Sequence, residues 1–237
     1  MRSGDKFIEL FNKLETTLRQ KVNWNNHKSF YQLVNVAAKK YSVVHRNRDI
    51  LKDFGNLRNA IVHDTKYPKK ILADPRRETL DSLENVFEAI TNPKKVIPKF
   101  QKDIKVFSLE EKLTKVLKYM GKNDFSQVVV YNNEHYQTLS SEAIVGWLRS
   151  AIGVGIADLE GSKVENSLIF EDEKTCEYLS RNEPIDSAFE LFEKAIQRNI
   201  PRLQAILVSE SGKSDQKPFG LITPWDLLSI NGEDTNE

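Results

Sequence analysis

Apolar residues in the first 92 positions recur at steps of three and four, the spacing that places side chains on one face of a helix. Four such stripes predict four helices. Because each stripe needs another apolar face to cover it, the pattern predicts an all-α up-and-down helical bundle over residues 1–92. The stripes are Phe7, Ile8, Phe11, Leu14 and Leu18; Phe30, Leu33, Val34 and Ala37; Ile50, Leu51, Phe54, Leu57 and Ile61; and Leu80, Leu83, Val86, Phe87 and Ile90.

Prolines mark two boundaries in this part of the chain. Asp74 followed by Pro75 is typical of a helix start, with the aspartate as cap and the proline in the first helical position, so we expect the fourth helix to begin there. Pro93 and Pro98 favour an irregular segment, and we expect residues 93–99 to be a linker between two domains.

The remainder of the chain contains an internal repeat of short strands and helices. Five positions recur 72 residues later, and further strand residues correspond at larger offsets, as loop insertions would produce. Each repeat is predicted to run strand, helix, strand, hairpin turn, strand, helix. The fold class is therefore α+β, with a first repeat at 100–150, a connector at 151–175, a second repeat at 176–232 and a tail at 233–237. The matched residues are Ser108, Leu113, Val116, Leu117 and Met120 with Ser180, Ile185, Ala188, Phe189 and Phe192; Val128–Val130 with Ala205–Leu207; and Leu139 and Ser140 with Ile222 and Thr223.

The second repeat ends in a recognisable motif: Gly220, two apolar residues, Thr223, two residues and Asp226. Together with the repeated order of strands and helices, this motif resembles the CBS domain, whose tandem copies pair into regulatory modules. The resemblance covers roughly residues 100–232. It implies a regulatory ligand, with an adenine nucleotide first among the candidates; cyclic dinucleotides and S-adenosylmethionine also lie within what the family accepts.

The motif has a chemical rationale. The Thr223 hydroxyl can meet a phosphate near the start of the following helix, where free backbone N–H groups favour anions, and Asp226 can accept hydrogen bonds from both ribose hydroxyls. The resemblance implies the same two roles. The alternative is that Thr223 only caps the helix and Asp226 favours its first turn. In the first repeat Ser140 matches Thr223, but Ala143 occupies the Asp226 position, so we expect at most one good nucleotide site per chain.

Composition narrows the protein class. The chain has 237 residues, one cysteine (Cys176), four histidines without metal-ligand spacing and no apolar stretch long enough to cross a membrane. We therefore expect two domains, no internal disulfide, no metal and a cytoplasmic location away from membranes. Residues 1–95 hold 19 Lys and Arg against 11 Asp and Glu, a charge of +8, whereas residues 96–237 carry −7. The basic half suits a polyanionic partner, although opposite charges would also help the two domains dock.

Three polar residues interrupt the third helical stripe: Arg58, Asn59 and His63. This pattern resembles the HEPN family, small helical domains in which Arg, a polar residue and His often cleave RNA without metal, and in which two copies of the motif face each other across a dimer. The resemblance implies a homodimer and no required cofactor. His63 would move a proton from the 2′-hydroxyl, Arg58 would stabilise charge on the phosphate, and Asn59 would orient the histidine or hold a phosphate oxygen.

The same three residues also fit a role without catalysis. Arg58 could pair with Asp53 or Asp64, His63 could be an ordinary helix-end histidine, and many HEPN domains bind without cleaving. The basic residues beside His63 fit contacts to RNA phosphates, although an exposed loop explains them equally. They are Lys66, Lys69, Lys70, Arg76 and Arg77.

Two functions follow from the sequence. In the first, a CBS pair senses an adenine nucleotide or related ligand and controls a HEPN-like dimer that binds RNA and cleaves it as a metal-independent endoribonuclease. In the second, the protein has no enzymatic activity, and the helical domain mediates dimerisation or recruits a partner. The residues themselves favour neither strongly.

Overall fold

The structure is a computed structural model that describes residues 2–23, 29–62, 74–153, 158–172, 175–198 and 203–233. The chain divides into two compact units, residues 1–94 and 95–237. Among the described residues, no helix is both long and apolar enough to span a bilayer.

The first unit is helical throughout its described part. Its core is built from the four predicted stripes, and α1 contacts α2, α4 and α5, while α2 also packs on α3 and α4. The aromatic residues Phe7, Phe11, Phe30 and Phe54 contact one another within this core. The helices are α1 (Ser3–Lys21), α2 (Phe30–Ala38), α3 (Ser42–Arg46), α4 (Arg48–Val62) and α5 (Arg77–Thr91).

One short helix was not predicted. Helix α3 has five residues and buries Val44 completely, but a single turn is too short to show helical periodicity in the sequence. The four predicted helices correspond to α1, α2, α4 and α5.

The predicted start of the last bundle helix is wrong. Helix α5 begins at Arg77, with Arg76 in the cap position, and Asp74 does not cap it. The Asp74 Oδ1 atom instead accepts a hydrogen bond at 3.0 Å from the backbone N–H of Gly4, in the first turn of α1. Because no side chain at the α1 cap position makes this bond, Asp74 supplies the cap from 70 residues away.

The second unit contains two three-stranded sheets of identical topology. In each, the first strand pairs in parallel with the second, and the second pairs antiparallel with the third through a hairpin. The first sheet contains β1 (Val106–Ser108), β2 (Gln127–Tyr131) and β3 (Tyr136–Ser140); the second contains β4 (Cys176–Ser180), β5 (Ala205–Ser209) and β6 (Gly220–Ile222).

Helices follow the first and third strands of each sheet. They are α7 (Leu113–Asn123), α8 (Ser141–Gly153), α10 (Ile185–Gln197) and α11 (Pro224–Glu233). The order within each repeat is therefore strand, helix, strand, hairpin, strand, helix. The predicted fold class, a helical N-terminal part followed by two βαββα-type repeats, is confirmed.

Two segments that lie outside the predicted repeats contribute apolar side chains to the cores of those repeats. The segment 93–99, predicted to be a linker, forms α6 (Val96–Lys99), and Val96 and Ile97 are buried with the second repeat. Helix α9 (Val164–Leu168), in the predicted connector, buries Val164 in the core of the first repeat. Apolar side chains in both segments explain why they pack rather than span open solvent.

Candidate functional site

The motif of the second repeat lies at the start of α11. The Thr223 hydroxyl donates to Asp226 Oδ2 at 2.7 Å, and the Thr223 N–H donates to the same oxygen at 2.7 Å. The Asp226 N–H in turn donates to the Thr223 hydroxyl oxygen at 3.3 Å. This reciprocal arrangement is a capping box, so the capping role considered as an alternative is present.

A lysine that the sequence did not indicate completes this cluster. Lys102 Nζ donates to Asp226 Oδ1 at 2.9 Å, and 25% of the Asp226 side chain remains exposed. Burial alone would raise the pKa of Asp226, but hydrogen bonds from Thr223 and Lys102 outweigh it and lower the pKa below its usual value. The carboxylate is therefore charged at neutral pH. Lys102 lies 124 residues away in sequence, where no local pattern could reveal it.

Gly220 allows the segment 100–102 to pass close to β6, the strand that ends immediately before Thr223. Gln101 forms an antiparallel bridge with Gly220, and a Cβ at Gly220 would come within 2.9 Å of the Phe100 carbonyl oxygen. Only glycine permits this approach. This segment carries Lys102, so the glycine of the motif indirectly positions the lysine beside Asp226.

The first repeat places a carboxylate at the equivalent point by another route. Ser140 Oγ accepts from the Ala143 N–H at 3.1 Å, as Thr223 does from Asp226. The Ser140 N–H donates at 2.5 Å to Glu171 Oε2, from a residue that follows α9. The sequence indicated that this repeat lacks a carboxylate at this position, but Glu171 supplies one. Local sequence patterns could not predict this contact, because Glu171 lies 31 residues from Ser140.

Hydrogen bonds from side chains also join the two repeats. Tyr178 on β4 donates its hydroxyl to the Tyr136 carbonyl oxygen on β3 at 2.6 Å. The hydroxyls of Thr138 and Thr175 lie 3.3 Å apart and are buried. Burial raises the pKa of the neighbouring Cys176 thiol, so this cysteine is less reactive than an exposed one.

In the helical unit, two of the three motif residues line one cavity. Arg58 Nη1 donates to Asn59 Oδ1 at 3.3 Å, and Arg58 Nε is buried without a hydrogen-bond partner. Within the described residues, Arg58 makes no ion pair with Asp53 or any other carboxylate. His63 and Asp64 lie outside the described residues.

The predicted RNA-phosphate contacts fall partly outside the described residues, which exclude Lys66, Lys69 and Lys70. Arg76 and Arg77 are described and exposed at the start of α5, where Arg77 Nε lies 3.9 Å from Asp81 Oδ2. Across the described residues, no group of three or more His, Cys, Asp or Glu side chains is arranged to hold a metal ion.

Comparison with known proteins gives matches among solved structures only: no protein-family model matches the chain, and no curated protein matches it. Similar solved structures include a CBS domain-containing protein of unknown function from Kribbella flavida, with 13% identity, coverage of 59% of this chain and 99% of that chain, and a TM-score of 0.41. The hexameric CBS-CP12 protein from bloom-forming cyanobacteria has 11% identity, 62% and 77% coverage, and a TM-score of 0.42. A Methanocaldococcus jannaschii protein, described as a candidate archaeal homolog of γ-AMPK, has 14% identity, 64% and 52% coverage, and a TM-score of 0.45. Identities and TM-scores this low do not assign the chain to a family.

Proposed function

We propose that this protein is a ligand-sensing regulator in which a tandem pair of CBS domains controls a HEPN-like, RNA-binding helical domain. The second repeat binds an adenine nucleotide or related ligand beside Thr223 and Asp226. Residues 1–92 act as the output domain of a homodimer.

The cluster of Thr223, Asp226 and Lys102 is the observation that carries the sensor function. One Asp226 oxygen is occupied by Thr223, whereas the other accepts a hydrogen bond from Lys102 and lies on a partly exposed side chain. A carboxylate oxygen has two lone pairs, so Asp226 Oδ1 retains capacity for a ribose hydroxyl. Lys102 and the N-terminus of α11 would together favour a phosphate.

Regulation through this site requires that the ligand bind one arrangement of the protein more tightly than another. A ligand with equal affinity for both arrangements would change nothing.

Thermal unfolding with AMP, ADP and ATP tests the sensor function. Ligand at about 100 times its dissociation constant adds about 2.7 kcal/mol to the free energy of unfolding and should raise the melting temperature. Asp226→Asn should abolish this shift, whereas Asp215→Asn, at an exposed hairpin aspartate, should retain it. A shift that survives Asp226→Asn, or no shift with any nucleotide, would contradict the proposed site.

The output function has its own test. The purified protein should bind single-stranded RNA, and the activity proposed for Arg58, Asn59 and His63 should cleave it in the presence of a chelator. His63→Ala should abolish cleavage without changing the melting temperature, and cleavage that persists in this variant would indicate a contaminant. A nucleotide-induced thermal shift without any RNA binding would favour the second function, ligand sensing coupled to a protein partner.

A further inference from the structure

In each repeat of the second unit, both helices pack on the same face of the sheet. The core of the first repeat joins Val128 and Val130, two residues apart on β2, to side chains of α7 and α8. The core of the second repeat joins Ile206 and Val208 of β5 to side chains of α10 and α11. Because residues two apart in a strand point to one face, each sheet is covered on that face by a layer of two helices. The first helix layer is α7 with α8, and the second helix layer is α10 with α11.

Large apolar side chains are exposed on all four helices of these layers. Val145 on α8 and Leu228 on α11 are 43% and 58% exposed, and each lies five residues after a matched residue, Ser140 or Thr223. Both layers therefore expose an apolar group at the same position. Apolar surface bordered by charged residues is typical of a site of protein association. The exposed residues are Leu117, Val145, Ile152, Ile196, Trp225 and Leu228.

The equivalent helices α7 and α10 carry opposite charges. Helix α7 has three lysines and no carboxylate, whereas α10 has three carboxylates and one lysine. At positions 72 residues apart, Lys118 corresponds to Glu190. Within the described residues, Lys118, Lys122 and Glu193 are exposed and make no ion pair. Glu190 pairs with Lys194 on its own helix at 3.3 Å, and because such surface pairs contribute little, all four charges are available to a partner.

Two copies of the chain could bring these layers together in two ways. If like layers met, the lysines of α7 would face those of the other α7, and the carboxylates of α10 would face one another. If unlike layers met, the lysines of α7 would face the carboxylates of α10. Like charges oppose association and opposite charges favour it, so the charges select the unlike pairing. A two-fold axis makes this contact twice, which covers both layers of both copies.

We infer that two copies of this chain associate head to tail, with the first helix layer of each copy covering the second helix layer of the other. The inference rests on the proposed homodimer and adds to it a contact surface and an orientation. The partner on this surface is a second copy because α10 supplies the acidic surface that complements α7.

Charge reversal on one helix at a time tests the orientation. The reversed-α7 variant is Lys118→Glu with Lys122→Glu, and the reversed-α10 variant is Glu190→Lys with Glu193→Lys. Either variant brings like charges together in a head-to-tail dimer, so its dimer dissociation constant in sedimentation equilibrium should rise at least about tenfold. A variant with all four substitutions exchanges the charges of α7 and α10 and should dimerise like the unaltered protein, as should an equimolar mixture of the two reversed variants.

The control reverses the same number of lysines away from the helix layers. Lys213→Glu with Lys217→Glu, at exposed positions between β5 and β6, should leave the dissociation constant within about twofold of the unaltered value. Circular dichroism checks that each variant keeps the fold of the unaltered protein.

The outcomes separate this inference from the proposed function. Unchanged dissociation constants for both reversed variants would overturn the head-to-tail contact and leave a homodimer held through another surface. Weakened dimers that the four substitutions together do not restore would overturn the pairing of α7 with α10. An unaltered protein that stays monomeric would contradict the proposed homodimer as well, whereas an assembly larger than a dimer would contradict the two-fold arrangement.

Discussion

The backbone N–H of Ser140 donates to Glu171 Oε2 at 2.5 Å, which reproduces in the first repeat the bond that Thr223 makes with Asp226 in the second. The two carboxylates lie at different distances along the chain, three and 31 residues after the residue whose N–H each accepts. Asp226 belongs to the helix that it caps, whereas Glu171 follows α9 and reaches back to the start of α8. Both repeats therefore present a carboxylate at the same position of the fold.

Removing the Glu171 carboxylate should destabilise the two-repeat unit. Ser140 is fully buried, so Glu171→Ala leaves its N–H without an acceptor and should cost about 1–3 kcal/mol in urea unfolding. Glu171→Gln retains an acceptor oxygen and should recover part of this loss. Glu160→Ala, at an exposed glutamate of the same connector, should change stability by less than about 0.5 kcal/mol. Equal effects of the two alanine substitutions would show that the Glu171 bond contributes nothing.

The contribution of Asp226 to the stability of the folded protein should depend on pH. Its pKa is lowered in the folded protein, so the charged carboxylate stabilises the fold above the usual aspartate pKa of about 3.9, and this stabilisation is lost as the pH falls through the lowered pKa. The difference in urea midpoint between the unaltered protein and Asp226→Asn should therefore shrink from pH 5 to pH 3. Asp215→Asn provides the control: its urea midpoint should differ little from that of the unaltered protein, and this difference should stay constant from pH 5 to pH 3. A pH-independent difference for Asp226→Asn would contradict the shifted pKa.

Gly220→Ala should destabilise the second repeat by about 1–3 kcal/mol, because the new methyl group would overlap the Phe100 carbonyl oxygen and approach the Val208 Cβ atom at 3.0 Å. Gly121→Ala is the matched control. A Cβ at Gly121 meets nothing within 4 Å, and alanine in the helix should be neutral or stabilising by up to about 1 kcal/mol. Thermal unfolding measures both variants, and an unaffected Gly220→Ala protein would show that the segment 100–102 can move away.

The long-range cap of α1 predicts an effect at Asp74. Asp74→Ala removes the acceptor of the Gly4 N–H and should cost about 0.5–2 kcal/mol of helical-unit stability. Asp74→Asn keeps the Oδ1 acceptor and should therefore retain most of the stability that Asp74→Ala loses. Circular dichroism during urea unfolding measures the loss. If alanine and asparagine are equivalent, the bond to Gly4 contributes no stability.

Much of the fold could be predicted because its signals are local. The stripe at Leu80, Leu83, Val86 and Ile90 reports a buried helix face at a fixed spacing, and all four side chains are buried in α5. The repeat could be predicted for the same reason, since two copies of one hydrophobic pattern must form two copies of one topology. The single-turn helix α3 and the true start of α5 could not, because caps and short turns depend on neighbours outside the local sequence.

For the candidate sites, too, some features could be predicted from the local sequence and others could not. Local sequence patterns were enough to establish the two-repeat architecture, the Thr223 and Asp226 motif and the placement of Arg58 and Asn59 on one helix. The hydrogen-bond partners of the site residues emerged with the packed fold: Lys102 at Asp226, Glu171 at Ser140 and Asp74 at Gly4, which are 124, 31 and 70 residues apart. The physical reason is that hydrophobic periodicity is set by the geometry of a single helix or strand, whereas a hydrogen bond across such a separation exists only after both segments have packed.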